Sequence, residues 1–74
     1  MQEATLDARG LSCPMPIVKL SKQARGLAPG GTITVIADDP GFDPDVRAWV
    51  EAQGHELVSF TEDGGVMTAV IKIR

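Results

Sequence analysis

Seventy-four residues, 43% of them hydrophobic and carrying a net charge of −3, leave room for one small core and predict a single domain over residues 1–74. A lone cysteine, Cys13, rules out an internal disulfide, and with one histidine, His55, it offers at most two soft or borderline ligands, so neither a metal nor a cofactor is expected. Residues 1–31 sum to +2 and residues 32–74 to −5; four bases in the first segment are too few for a nucleic-acid footprint, and direct RNA or DNA binding is disfavoured.

In chain order, Ala4 to Ala8 alternates, with Ala4, Leu6 and Ala8 on one side, and reads as a short strand. From Pro14 the period becomes helical. Ile17, Leu20 and Ala24 share one face, with Ser21 and Ala28 close by, and Gly26 with Pro29-Gly30-Gly31 supplies the stop. Thr32 to Ala37, rich in β-branched residues, forms a second strand that ends at Asp38-Asp39-Pro40-Gly41. Asp43-Pro44-Asp45 is a helix-start signal, with Asp43 at the N-cap and Pro44 at the first helical position; the helix runs to about Gln53, with Val46, Trp49, Val50 and Gln53 inward and Gly54 as the stop. Glu56 to Thr61 and Val66 to Ile73 read as strands joined by Glu62-Asp63-Gly64-Gly65, a hairpin in which Met67, Ala69, Ile71 and Ile73 face the helices. The order βαβαββ implies a two-layer α+β sandwich: a mixed four-stranded sheet, its first two strands parallel through a right-handed crossover, with both helices on one face. Parallel strands place the start of helix one, the Asp38-Asp39 turn and the start of helix two on one edge, where ligands of open α/β sheets bind.

Cys13 stands at that edge in Leu11-Ser12-Cys13-Pro14-Met15-Pro16. Pro14 at the first helical position and Pro16 within the first turn stiffen the helix entry without breaking an intrahelical bond. The Met15 N–H and later first-turn donors are expected to face the sulfur and favour a thiolate, with positive charge gathering around it. Such a thiolate is a nucleophile toward sulfane sulfur or a disulfide. The competing reading is an inert, buried cysteine. Met15 and Val18 fall on the outer side of helix one beside Lys19 and Lys22, a pattern that fits a docking patch as well as ordinary exposed apolar residues. Asp38 and Asp39 either meet a partner's bases or form the turn before Pro40, and acids near Cys13 would oppose ionisation. His55 reads as a surface or capping residue and Trp49 as core. The polar, acidic start of the chain shows no basic-then-apolar leader, and no apolar run reaches membrane-spanning length; the expected location is the cytoplasm, where a free thiol stays reduced.

The run Leu6-Asp7-Ala8-Arg9-Gly10-Leu11-Ser12-Cys13-Pro14-Met15-Pro16, continued by Pro29-Gly30, Ala37-Asp38-Asp39-Pro40, Ala48-Trp49 and Gly54-His55-Glu56-Leu57, resembles the signature of the TusA/SirA-like sulfur-carrier family, whose mark is Cys-Pro-x-Pro. The resemblance implies a fold like the C-terminal domain of translation initiation factor three. It also implies that Cys13 takes sulfane sulfur as a persulfide from a cysteine desulfurase or rhodanese-like donor and passes it to a downstream acceptor protein, in tRNA thiolation, cofactor synthesis or sulfur oxidation. By similarity Asp39 joins the partner interface. Two departures stand out: Met15 replaces the acid typical of the tRNA-thiolation members, and Val50 occupies a position where some relatives have a second cysteine, which excludes a resolving thiol. A small acidic domain that must show Cys13 to successive partners is expected to be a monomer. The alternative from another class is a regulatory interaction module using the helix-one surface; direct RNA binding rests on fold analogy alone.

Overall fold

A computed structural model describes residues 2–74. Its elements are β1 (Glu3–Asp7), α1 (Met15–Ala24), β2 (Thr32–Ala37), α2 (Phe42–Gln53), β3 (Glu56–Asp63) and β4 (Val66–Lys72), in the predicted βαβαββ order. The sheet runs β1-β2-β4-β3: β1 and β2 are parallel, and β4 lies antiparallel to both of its neighbours. The mixed four-stranded sheet matches the expectation. β1 ends one residue earlier than read, yet Ala8 is fully buried and its N–H still donates to the Ile36 carbonyl.

The two central strands make the core. Ile33, Val35 and Ala37 of β2 and Met67, Ala69 and Ile71 of β4 are all buried, as strict alternation dictates, and Ile73 joins them just past the strand. The helices bury Pro16, Leu20 and Ala24 from α1 and Phe42, Val46 and Val50 from α2, each set spaced four apart. Pro16 is thus a core residue as well as part of the helix entry, whereas Ile17 is only half-buried at the margin. Trp49, expected inside, is also half-buried, and Gln53 is exposed: the inner face of α2 is set by Phe42, two residues before the expected first helical position, with Val46 and Val50 in line with it, and this leaves Trp49 and Gln53 toward its edge. Phe42 stacks on Phe60 with ring centroids 6.2 Å apart. Phe60 reaches the core because β3 carries a bulge between Leu57 and Ser59, which leaves Val58 outside and returns both Leu57 and Phe60 to the inner face.

The β3–β4 connection is tighter than the four-residue loop expected. Asp63 pairs with Val66, and Gly64 and Gly65 both have positive φ, 60° and 85°, the geometry of a two-residue turn whose twist suits a hairpin. None of the described helices is long and apolar enough to cross a membrane.

Candidate functional site

Both helices begin at the edge where β1 and β2 end, and their starts frame Cys13. Helix α1 is capped by Pro14, with Met15 as its first residue and Pro16 its second, one position later than expected. The Met15 N–H does not face the sulfur. It donates to the Ser12 carbonyl at 2.8 Å, and the Ile17 and Val18 N–H groups both donate to the Pro14 carbonyl. Pro14 and Pro16 have no N–H to give. The first turn of α1 therefore has no backbone donor left for an anion, and the expected support for a thiolate is missing.

The sulfur is accessible, which argues against the inert buried reading. Among the described residues it makes one hydrogen bond, from Sγ to Asp45 Oδ2 at 2.6 Å, across 32 positions of sequence. That contact, with partial desolvation and the negative charges of Asp45 and Asp39, raises the Cys13 thiol above its ordinary pKa. Acids, not bases, gather around the sulfur. Lys19 and Lys22 line a separate depression with Leu6 and Gln23, and Arg9 is tied to Asp7 by paired contacts of 2.9 and 2.8 Å.

Helix α2 is entered through Asp39, not through Asp43. The Asp39 Oδ2 accepts the Gly41 N–H at 3.0 Å and its carbonyl accepts the Phe42 N–H at 2.9 Å, so Gly41 takes the N-cap and Phe42 the first helical position. Asp43, expected as the cap, instead pairs with Arg47. Pro44 still falls in the first turn, where its missing N–H costs nothing. Gly41 has an ordinary φ of −72°; a methyl there would lie 3.0 Å from Asp39 Oδ2 and 3.5 Å from Cys13 Cβ, so the position is small for want of space. Asp38 serves the structure, as its turn position suggested: its Oδ1 accepts the Gly10 N–H at 2.9 Å and anchors the loop that carries Cys13.

Other expected residues fall on both flanks of the thiol. Met15 and Val18 are 42% and 50% exposed, an apolar pair on the outer side of α1 with Lys19 and Lys22. Asp39 sits on the α2 side. Between the helices an open furrow of about 430 Å³ runs from Cys13 past Ile17, Asp45, Ala48, Trp49 and Ala52. His55 lies at the far end of α2, where Nδ1 accepts the Arg74 N–H at 3.1 Å and the ring leans on Trp49, so it cannot act as a base for Cys13. The residue that sequence reasoning missed is Asp45, read only as a first-turn acid; the shared edge of the two helix starts was the signal that could have found it.

Comparison with known proteins bears on this site. A sulfur carrier protein TusA from Pseudomonas paraeruginosa is 46% identical over 63 residues, 85% of this chain and 80% of its own length. A longer sequence from Aquifex aeolicus is 38% identical over 71 residues, 96% of this chain but 36% of its own length, so the chain spans about a third of that relative. The crystal structure of a SirA-like protein from Desulfitobacterium hafniense superposes with a TM-score of 0.82 at 27% identity, covering 93% of this chain and 95% of that one. The family described as Sulfurtransferase TusA matches residues 4–73, nearly the whole chain, and the chain belongs to that family.

Proposed function

We propose that this chain is a sulfur carrier: Cys13 accepts sulfane sulfur from a donor persulfide, holds it as Cys13-S-SH, and yields it to an acceptor protein. The observation that carries this reading is the exposure of the chain's one thiol at the shared start of two helices, in a family of sulfurtransferases. The thiol is exposed beside an open furrow between the two helices, which suits a group handed from one protein to another better than a reaction on an enclosed substrate. Residues 1–74 act as one carrier domain and as a monomer, in the cytoplasm, with a cysteine desulfurase or rhodanese-like donor on one side and an acceptor for tRNA thiolation, cofactor synthesis or sulfur oxidation on the other. Pro14 and Pro16 fix the entry that presents the thiol. Met15, Val18, Lys19 and Lys22 dock partners on one flank and Asp39 on the other.

Incubation with a cysteine desulfurase and cysteine, followed by intact mass measurement, is expected to show one added sulfur that reduction removes and Cys13→Ser abolishes. No gain with a desulfurase or with an inorganic polysulfide would overturn the reading. The exposed Met15–Val18 pair also favours a plain interaction module; partner binding that survives Cys13→Ser but is lost in Met15→Glu would support that alternative.

A further inference from the structure

The contact between Cys13 and Asp45 has no evident structural duty. Among the described residues no side chain bonds to an N–H of the first turn of α2 itself, Asp43 already supplies an acid there, and Asp45 is a half-buried carboxylate aimed at a sulfur from another element. We infer that Asp45 is a positioning residue that tells the empty carrier from the loaded one, holding the Cys13 thiol by its proton and letting go when sulfur arrives. This deepens the sulfur-carrier reading and rests on it.

In the empty state Sγ carries a proton and donates it to Oδ2, which turns the sulfur onto the first turn of α2. The charged groups that face it are Asp45 on α2 and Asp39 in the β2–α2 turn, both acids, while the first turn of α1 brings no free N–H. Ionisation is opposed from every packed side, so small electrophiles and oxidants meet a neutral thiol. Loading moves one sulfur atom: the bond between the donor's two sulfurs breaks, a bond from Sγ to the outer sulfur forms, and the Cys13 proton ends on the donor's inner sulfur, which leaves as a thiol. Nothing is oxidised or reduced overall. Afterwards Sγ is bonded to Cβ and to sulfur and has no proton, so the atom that faced Oδ2 can no longer donate. The new S–H lies one S–S bond, about 2.05 Å, farther out. The same carboxylate that clamps the empty thiol thus has no hold on Sγ of the loaded one.

The pH profile of alkylation by iodoacetamide tests this on the full chain, with circular dichroism to show that each variant is folded. In Asp45→Asn the midpoint is expected to move to lower pH, and the rate near neutrality to rise about threefold, the gain in thiolate being partly offset by its weaker nucleophilicity. Asp45→Glu should stay near the parent profile. Asp43→Asn, which removes an equal charge from the same turn without touching sulfur, should leave it unmoved. In persulfide-loaded protein Asp45→Asn should not change the capture rate. A profile unmoved by Asp45→Asn, one moved equally by Asp43→Asn, or an effect as large on the loaded form as on the empty one would overturn the inference. Alkylation of the empty form needs no sulfur donor: a shifted profile in a chain that never loads would sink the carrier reading alone, and loading without a shift would sink only the role of Asp45.

Discussion

The first turns of α1 and α2 lie side by side and are built oppositely. That of α1 begins Pro14-Met15-Pro16, with two N–H groups absent and the next ones bonded to Ser12 and Pro14; it bears no acid and follows directly on the exposed thiol. That of α2 begins Phe42-Asp43-Pro44-Asp45, drives an aromatic ring into the core, and carries two acids. A helix start favours an anion only when its amides are free and aimed at it. Here the helix that bears the sulfur has used up its donors, and its neighbour supplies the sulfur's partner, a carboxylate that prefers the thiol to stay protonated. Position at a helix N-terminus is thus a poor guide to ionisation without an account of each N–H.

The contrast can be broken from the α2 side first. Phe42→Ala removes a fully buried ring from the stack with Phe60 and should cost about 3–5 kcal/mol in chemical denaturation, enough to leave a domain of this size marginally folded. Gly41→Ala places a methyl against Asp39 and Cys13 between the two starts; a loss of about 1–2 kcal/mol in thermal unfolding is expected, together with an altered Cys13 alkylation rate, because the neighbours must shift to admit it. Asp43→Ala breaks the exposed pair with Arg47 and removes one first-turn acid, so a loss of about 0.5–1 kcal/mol with unchanged thiol reactivity would sharpen the separation between charge that supports the helix and charge that faces the sulfur. The smallest effect belongs to Asp7, whose hydrogen bonds and ion pair with Arg9 lower its pKa from 3.8 to about 2. The unfolded chain takes up that proton first, so the contribution is present above pH 3.8 and lost as pH falls toward 2; in Asp7→Asn the slope of melting temperature against pH should flatten in that window and nowhere else.

Much of this was legible in the sequence. Alternation in β4 assigned Met67, Ala69 and Ile71 to the inner face because a pleated strand with one dry side allows only that pattern. Asp38, read either as a partner contact or as a turn residue, holds the Cys13 loop through the Gly10 N–H, His55, read as a surface or capping residue, accepts the Arg74 N–H, and Cys13 was placed where it is exposed. The start of α2 was misread because Asp43-Pro44 is a strong local cap signal, whereas the true entry is set by Asp39 bonding to the Gly41 N–H and by the gain from burying Phe42, a tertiary term that propensity does not contain. Trp49 was misplaced as a consequence of the same shift. The ionisation of Cys13 depended on where three N–H groups point and on a carboxylate 32 residues away, neither of which sequence spacing encodes.

The strand order leaves β1 and β3 with one unpaired side each. β1 is five residues long and closes on Glu3 and Asp7, and β3 is kinked by its irregularity at Val58. Short, charged or buckled margins make poor templates for another chain's backbone. A protein that offers its working surface to successive visitors can therefore be crowded against its own kind without stacking into ribbons, one outermost strand denying an intruder the length and the other the flatness to take hold.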